Sequence, residues 1–258
     1  MKKFITVLLS AALAVCCFSG LISCKKTDKL VLGFDAEFPP YGYEENGEYV
    51  GFDIEYAKKV CGNLGYELEL KPIDWDSKDA MLEQGAIDFI WNGFTYEGRE
   101  TEYEWTVRYL DNSIVVLVLS GSGIETLDDL SGKKVAVQSD SSGEAALEEN
   151  EELTATFDGG KYSVEPDYVA AYEKLNAGGY DAIAVDVGVA KYLKSTDASL
   201  VILDEEVASE TYGVGFKKGN KELCSKISAE MEKVGKDEAF IKGLCEKYGV
   251  DYNAFLLK

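Results

Sequence analysis

The 258-residue sequence contains no histidine. That removes His-based catalytic triads, imidazole metal ligands and the side chain that most often serves as a general base. Arginine is scarce as well, with only Arg99 and Arg108 against 24 lysines. A position that needs only positive charge would fall to Lys in such a chain, so an Arg marks a place that needs the planar guanidinium fork. Past the first 24 residues the only cysteines are Cys61, Cys224 and Cys245. Three is an odd number, so at most one intramolecular bridge can form: either Cys224 pairs with Cys245, or all three pack as thiols, and no spacing among them suits a metal. Walker and dinucleotide glycine patterns are missing, and nothing calls for a cofactor. Basic charge is in deficit, 26 Lys and Arg against 47 Asp and Glu, a formal charge of −21 that becomes −23 once the two lysines of the leader are removed. Such a surface repels phosphate backbones and anionic headgroups, which excludes nucleic-acid binding and peripheral membrane adsorption.

The first residues are a targeting segment rather than fold. Lys2 and Lys3 precede an apolar run from Phe4 to Phe18, too short to span a bilayer, and L-I-S-C follows at residues 21–24. Residues 1–23 read as an export signal, Cys24 as a lipid-carrying mature N-terminus and 24–29 as a tether, placing the protein outside the cytoplasm and anchored to a bacterial membrane. No later segment approaches the ~20 apolar residues of a membrane span.

Two stretches repeat. Residues 82–90 read L-E-Q-G-A-I-D-F-I and residues 175–183 read L-N-A-G-G-Y-D-A-I, with Leu, Gly, Asp and Ile at the same offsets. Each predicts a helix end closed by Gly85 or Gly178, a tight turn to Asp and a short apolar strand. The repeat implies two similarly built lobes. The first copy runs into W-N-G-F-T-Y-E-G-R, with Asn92, Thr95 and Arg99, and the second ends at Asp186. Ligands of α/β sheets bind outside the carboxyl ends of the strands, so these two ends are expected on opposite walls of one cleft. A guanidinium facing a carboxylate suits a zwitterion such as an amino acid.

The predicted order is strand, loop, helix in each lobe. In the first, K-L-V-L-G-F-D is followed by a helix capped by Asp53, the strand 66–71, the helix 78–84 and the strand 87–91. In the second, K-K-V-A-V-Q leads through S-D-S-S-G to the helix 143–150, and then to the helix 168–176, the strand 181–185 and the helix 187–193. The apolar run 112–120 reads as a buried strand leading across. Lobe 1 is expected at 30–113 and 209–258, lobe 2 at 119–204, with hinge crossings at 114–118 and 205–208. Helices over 221–234 and 238–248 are expected to pack back on lobe 1. Two crossings make a hinge, and a lobe inserted in this way can close around a ligand.

Arg99 is the leading candidate, against the alternative of a surface pair with Glu97, Glu100 or Glu102. Asp186 precedes a helix, so it could equally be an N-cap. Ser141 and Ser142 stand before the helix at Gly143, where capping hydroxyls and free N–H groups also make an anion site. Phe38 and Trp75 are candidates for covering an apolar ligand stem, while Trp91, inside an apolar strand, reads as core. Asp35 joins the set as a polar residue beyond the first strand.

Together the stretches G-F-D-A-E-F-P-P-Y, G-F-D-I-E-Y-A-K, P-I-D-W-D-S-K-D, I-D-F-I-W-N-G-F-T-Y-E-G-R, V-A-V-Q-S-D-S-S-G-E-A-A-L and D-A-I-A-V-D resemble the polar amino-acid-binding lipoproteins, the family 3 solute-binding subunits of ABC importers. The resemblance covers essentially the whole mature chain. It implies an α/β, periplasmic-binding-protein-like fold of type II that delivers a free polar or cationic α-amino acid to a membrane permease, as a monomer and without catalysis. It assigns the ligand carboxylate to Arg99, helped by Thr95, Ser141 and Ser142, and the ammonium to Asp186 and the carbonyl near Gly93. Phe38 and Trp75 would enclose the side chain, and Asp35 would line the pocket. Two departures stand out. Four residues separate Thr95 from Arg99 where the family commonly has five, and the second-lobe Gly-Thr-Thr pattern is Asp140, Ser141, Ser142, which sets a carboxylate beside an anion-binding turn. The competing readings are an amino-acid sensor without transport and a dehydratase-like enzyme on the same fold. Carboxylate pairs such as Asp74 with Asp76 say little in a chain with 47 acidic residues, and the S-x-x-K of Ser131 and Lys134 reads as a turn before a strand.

Overall fold

The apolar alternation of K-L-V-L-G-F closes into strand β1 (Lys29–Phe34), the first of twelve in a computed structural model that describes residues 28–258. The leader and Cys24 lie outside the described residues, and Lys29, expected in the tether, already belongs to the sheet. A three-stranded meander follows, β2 (Glu37–Phe38), β3 (Gly42–Glu45) and β4 (Glu48–Val50), and then α1 (Phe52–Asn63), β5 (Glu67–Pro72), α2 (Lys78–Glu83), β6 (Phe89–Thr95) and β7 (Glu104–Trp105). The chain crosses through β8 (Leu110–Leu119) to β9 (Val135–Gln138), α3 (Ser142–Glu149), α4 (Glu151–Thr154), β10 (Ser163–Glu165), α5 (Tyr168–Asn176), β11 (Ala182–Asp186) and α6 (Val187–Thr196). It returns through β12 (Leu200–Phe216) and ends in α7 (Lys221–Gly235) and α8 (Glu238–Tyr248).

One sheet runs through both halves in the order β10-β9-β11-β8-β12-β6-β1-β5, with β7 beside β12. Its outer thirds match. In the first half β1 lies between β5 and β6 with both pairings parallel, and in the second β9 lies between β10 and β11, again parallel. The two central strands are exchanged. β8, which leaves the first half, pairs antiparallel with β11 of the second, and β12, which leaves the second, pairs antiparallel with β6 of the first. This exchange is why the chain must cross twice. The two-lobed α/β architecture follows from it.

Ile114–Val118, expected as a crossing, pair along their length with β11 and so lie within the second half's sheet. The narrow neck is one step earlier, where Asp111–Ser113 pair only with Ser209–Thr211. The β12 register shifts twice between Ile202 and Ala208, a bulge that bends the returning strand.

The repeat has a mechanical meaning. In the first copy Asp88 Oδ2 accepts the Val31 N–H (2.7 Å) while the Asp88 N–H donates to the Val31 carbonyl (2.8 Å). In the second, Asp181 Oδ2 accepts the Lys134 N–H (2.8 Å) and the Asp181 N–H donates to the Lys134 carbonyl (2.9 Å). Each Asp pins the start of its strand to the neighbouring parallel strand, and Gly85 and Gly178, at φ 70° and 74°, make the helix-to-strand turn that puts it there. Helices α7 and α8 pack on α1 as expected, with the Tyr56 hydroxyl donating to the Met231 carbonyl (2.7 Å). Cys61, Cys224 and Cys245 are free, buried thiols whose pKa values burial pushes up to about 12, 11 and 11. Trp91 is fully buried against Tyr56, Phe89 and Tyr109. Among the described residues no helix is long and apolar enough to cross a membrane.

Candidate functional site

All the parallel strands point their carboxyl ends into the seam between the halves. β1 delivers Asp35, and Trp75 stands past the end of β5; β6 delivers Asn92 to Thr95 and, past its end, Arg99; β9 delivers Gln138, Ser141 and Ser142; β11 ends on Asp186. These residues, with Phe38 and Phe94, line a single nearly closed cavity, with room in this form for about one water molecule. All ten residues expected from the sequence to meet a ligand are on its wall: Asp35, Phe38, Trp75, Asn92, Gly93, Thr95, Arg99, Ser141, Ser142 and Asp186.

The first-half wall is shaped by a bulge. Trp91, Asn92 and Gly93 on β6 oppose a single β12 residue, Val214, which interrupts the ladder and turns this stretch toward the seam. Gly93 sits at φ 56°, and a Cβ there would lie 2.8 Å from Phe38 Cε1, so the position needs glycine twice over. Its N–H donates to Asp53 Oδ2 (2.6 Å). Asp53 is therefore no helix cap: the N-cap is Gly51, and the Asp53 carboxylate is fully buried, accepting also from the Tyr109 hydroxyl (2.7 Å). Burial raises its pKa to about 7, against the lowering effect of the Tyr109, Gly93 and Trp91 donors. The Asn92 Oδ1 is buried and without a hydrogen-bond partner among the described residues, and a Cβ on Gly42 would lie 2.5 Å from it.

Arg99 follows a turn closed by its own N–H to the Tyr96 carbonyl (3.1 Å), and its guanidinium lies 5.4 Å from the centre of the Phe94 ring. The alternative of a surface pair with Glu97 does not arise, since that carboxylate accepts from the Thr211 N–H and hydroxyl (2.7 Å each). Trp75 stacks edge-on against Phe94 at 5.6 Å.

On the second-half wall, Ser141 caps α3, accepting the Glu144 N–H (3.1 Å) and donating to the Gln138 carbonyl (2.8 Å), while the first N–H groups of the helix have no intrahelical partner. Asp186 stands at the N-cap of α6, but its side chain makes no capping bond. Its Oδ1 accepts from Asn112 Nδ2 (2.9 Å) and from the Tyr212 hydroxyl. Burial raises its pKa, opposed by the Tyr212, Glu210 and Asn112 contacts. The same Asn112 amide donates to Glu210 Oε1 (2.7 Å), and burial together with the Asp186 charge lifts Glu210 to about 8. Two carboxyls thus share the neck, and burial raises both, so the pair holds a proton more readily than free carboxylates do. The described partners of Asp186 are neutral or acidic, so it has room for a cation.

Asp35 is buried and joins the two walls: its Oδ1 accepts the Glu37 N–H (2.8 Å) and its Oδ2 accepts Gln138 Nε2 (2.7 Å). Burial raises its pKa. Asp140, feared from the sequence to spoil the anion site, turns its carboxylate away from the cavity onto Lys78.

This geometry agrees with comparisons against known proteins. Residues 30–250 match the model of the bacterial extracellular solute-binding proteins, family 3. The chain belongs to that family. This family 3 solute-binding protein is 31% identical over 254 residues to the L-cystine-binding protein TcyJ of Escherichia coli (strain K12), covering 95% of this chain and 93% of that one. It is 30% identical to the arginine-binding extracellular protein ArtP of Bacillus subtilis (strain 168), over 94% and 97% of the two chains. Among solved structures, an ABC uptake transporter substrate-binding protein of Streptococcus pneumoniae with bound histidine superposes with a TM-score of 0.81 at 30% identity, over 85% and 92% of the chains. An ancestral arginine-binding protein bound to arginine gives 0.76 at 33%, over 85% and 97%.

Sequence reasoning missed Gln138, Asn112, Glu210 and Tyr212, and misread Asp53. Gln138 was findable, as the polar residue that ends the apolar V-A-V-Q strand at its carboxyl end. Asn112, Glu210 and Tyr212 had no local signal, because they reach Asp186 only through the exchange of β8 and β12.

Proposed function

We propose that this solute-binding protein captures one free α-amino acid between its halves and presents it to the membrane permease of an ABC importer. The observation that carries the reading is that Arg99 and Asp186, from opposite halves, line the same small cavity. Arg99 takes the α-carboxylate as a bidentate pair, with the Thr95 hydroxyl and the amides of α3 at Ser141 and Ser142 completing its shell. Asp186 takes the α-ammonium, helped by the Gly93 carbonyl, which the Asp53 anchor behind it holds in place. Phe38 and Trp75 cover the apolar stem of the side chain. Asp35 and Gln138, with Asn92 nearby, make its far end polar, which favours a polar or cationic side chain over an acidic one. The relatives named for cystine and arginine, and the structures holding histidine or arginine, fit that preference. No covalent step is involved. The halves rotate about the neck at 111–113 and 209–211, and the ligand shifts the population toward the closed form. Cys24 carries the lipid that keeps this monomeric protein at the outer face of the membrane.

The test is a thermal melt of the fragment starting after Cys24, against each common amino acid and cystine. A ligand at ~1,000 times its dissociation constant adds about 4 kcal/mol of stability, easily seen as a raised midpoint. One or a few α-amino acids should raise it, and Arg99→Lys should abolish the rise. If none does, the assignment of Arg99 and Asp186 to a zwitterion is wrong.

A further inference from the structure

Three donors of the first half converge on one residue of the second, Asp140. Its carbonyl accepts from Trp75 Nε1 (3.1 Å) and Arg99 Nη2 (3.3 Å), two first-half residues of the cavity wall. Its carboxylate forms an ion pair with Lys78, whose ammonium also stands 3.5 Å from the Asp140 carbonyl and 5.0 Å from the centre of the Trp75 ring. Lys78 is 1% exposed, whereas Asp140 is 52% exposed. A lysine this deeply enclosed needs a partner, since an unpaired buried ammonium is costly. Asp140 also holds a left-handed backbone at φ 54°, which an L-residue other than glycine adopts only at a cost, and its N–H is tied to Glu144 Oε2 (2.6 Å). Both features are hard to explain for a residue that only fills a loop.

We propose that Lys78 and Asp140 form a closing latch: they are positioning residues that lock Trp75 and Arg99 against the second half and slow the escape of the bound solute. The pair exists only while the halves are together. When they part, Asp140 departs with α3 and the Lys78 ammonium regains water, so the open form loses nothing and the closed form alone is favoured. The latch touches the solute only through Trp75 and Arg99. Losing it therefore acts on dissociation far more than on encounter, as loss of one partner of a buried charge pair does. The half-exposed carboxylate moderates the size of the effect.

The inference rests on the closure reading above, and the experiment separates the two. Association and dissociation rates of whichever amino acid raises the melting midpoint are followed by tryptophan fluorescence for the parent, Asp140→Gly, Lys78→Met and the double variant. Asp140→Gly removes the carboxylate while relieving the left-handed backbone, so it stands even where Lys78→Met folds poorly. Each single variant should release the solute about five- to thirty-fold faster, with association changed less than two-fold, and the double variant should be no worse than the poorer single. Unchanged dissociation, or additive effects in the double variant, overturns the latch while leaving amino-acid binding intact. Should no amino acid bind the parent, the latch is read without ligand, from the distance between spin labels at the exposed positions 84 and 149. A longer distance in Asp140→Gly supports it, and an unchanged one overturns it.

Discussion

In the first half, β6 bulges at Trp91–Gly93, runs on to Thr95 and gives way to a turn that carries a cation, Arg99. In the second, β11 pairs cleanly to its last residue, and that residue is the anion, Asp186. The halves have the same strand order, the same helix-to-strand turn and the same Asp that pins strand to strand, yet they end in opposite charges. The shared parts are those that build a wall. The divergent parts lie at and just past the carboxyl end of each strand, at the margin of the ladder, where chemistry can change with little cost to the sheet.

The largest effects should come from breaking the charge opposition itself. Arg99→Ala and Asp186→Asn should each weaken amino-acid binding by about 2–5 kcal/mol, because each leaves the opposite charge of the solute enclosed and unpaired. Isothermal titration against the preferred amino acid measures this, and a loss in only one of the two would show that one wall binds the solute alone. Next in size is the contact between the walls. Gly188 of α6 faces the Tyr41 hydroxyl, and a Cβ there would overlap it. Gly188→Ala should hold the halves apart and weaken binding by about 1–3 kcal/mol with the fold intact, seen as a larger radius in solution scattering with ligand present. An unaltered affinity would mean that the binding form is more open than this one.

The shared parts are tested by matched substitutions. Asp88→Ala and Asp181→Ala each remove an acceptor from one strand-pinning N–H, which should cost about 1–2 kcal/mol of stability and lower the melting midpoint by a few degrees without altering affinity. Asp88 is half-buried and Asp181 exposed, so the first change should cost more. Equal effects on binding would make the repeat functional rather than structural.

A pH effect at the neck is the remaining test. Glu210 is lifted to about 8 in the folded protein from an ordinary carboxylate value, so the folded state binds the extra proton and stability falls as pH rises from about 4.5 to 8. The slope from this site is at most about 1.4 kcal/mol per pH unit. Glu210→Gln keeps the Asn112 bond and should flatten the decline, so the variant and the parent converge near pH 4.5 and differ most above pH 8. Parallel curves would place the proton elsewhere in the pair.

Much of this was legible in the chain. The helices Tyr168–Asn176 and Glu238–Tyr248 begin and end where their apolar periodicity and caps say. The wall residues were readable because strand ends are marked by the change from apolar runs to polar residues, and scarce Arg in a Lys-rich chain singled out Arg99. The role of Asp53 was not readable. Beside G-F-D at a helix start a carboxylate looks like a cap, and only the fold brings Gly93 and Tyr109, distant in sequence, to its oxygens. Asp186 was ambiguous for the same reason, and its release from capping depends on Asn112 and Tyr212 on the exchanged strands. The fate of Asp140 also belonged to the fold, since nothing in S-D-S-S-G tells that Lys78 will stand opposite.

The sequence by itself determined the two-lobed α/β plan, the repeat and the residues that line the cavity, because these follow from short-range patterning and from where strands end. Only the tertiary structure decided how the halves are sewn together, which carboxyls are buried side by side and which contacts join the walls of the cleft. Those depend on burial and on partners brought together across the exchanged strands, and desolvation is a property of the packed chain, not of any local run of residues.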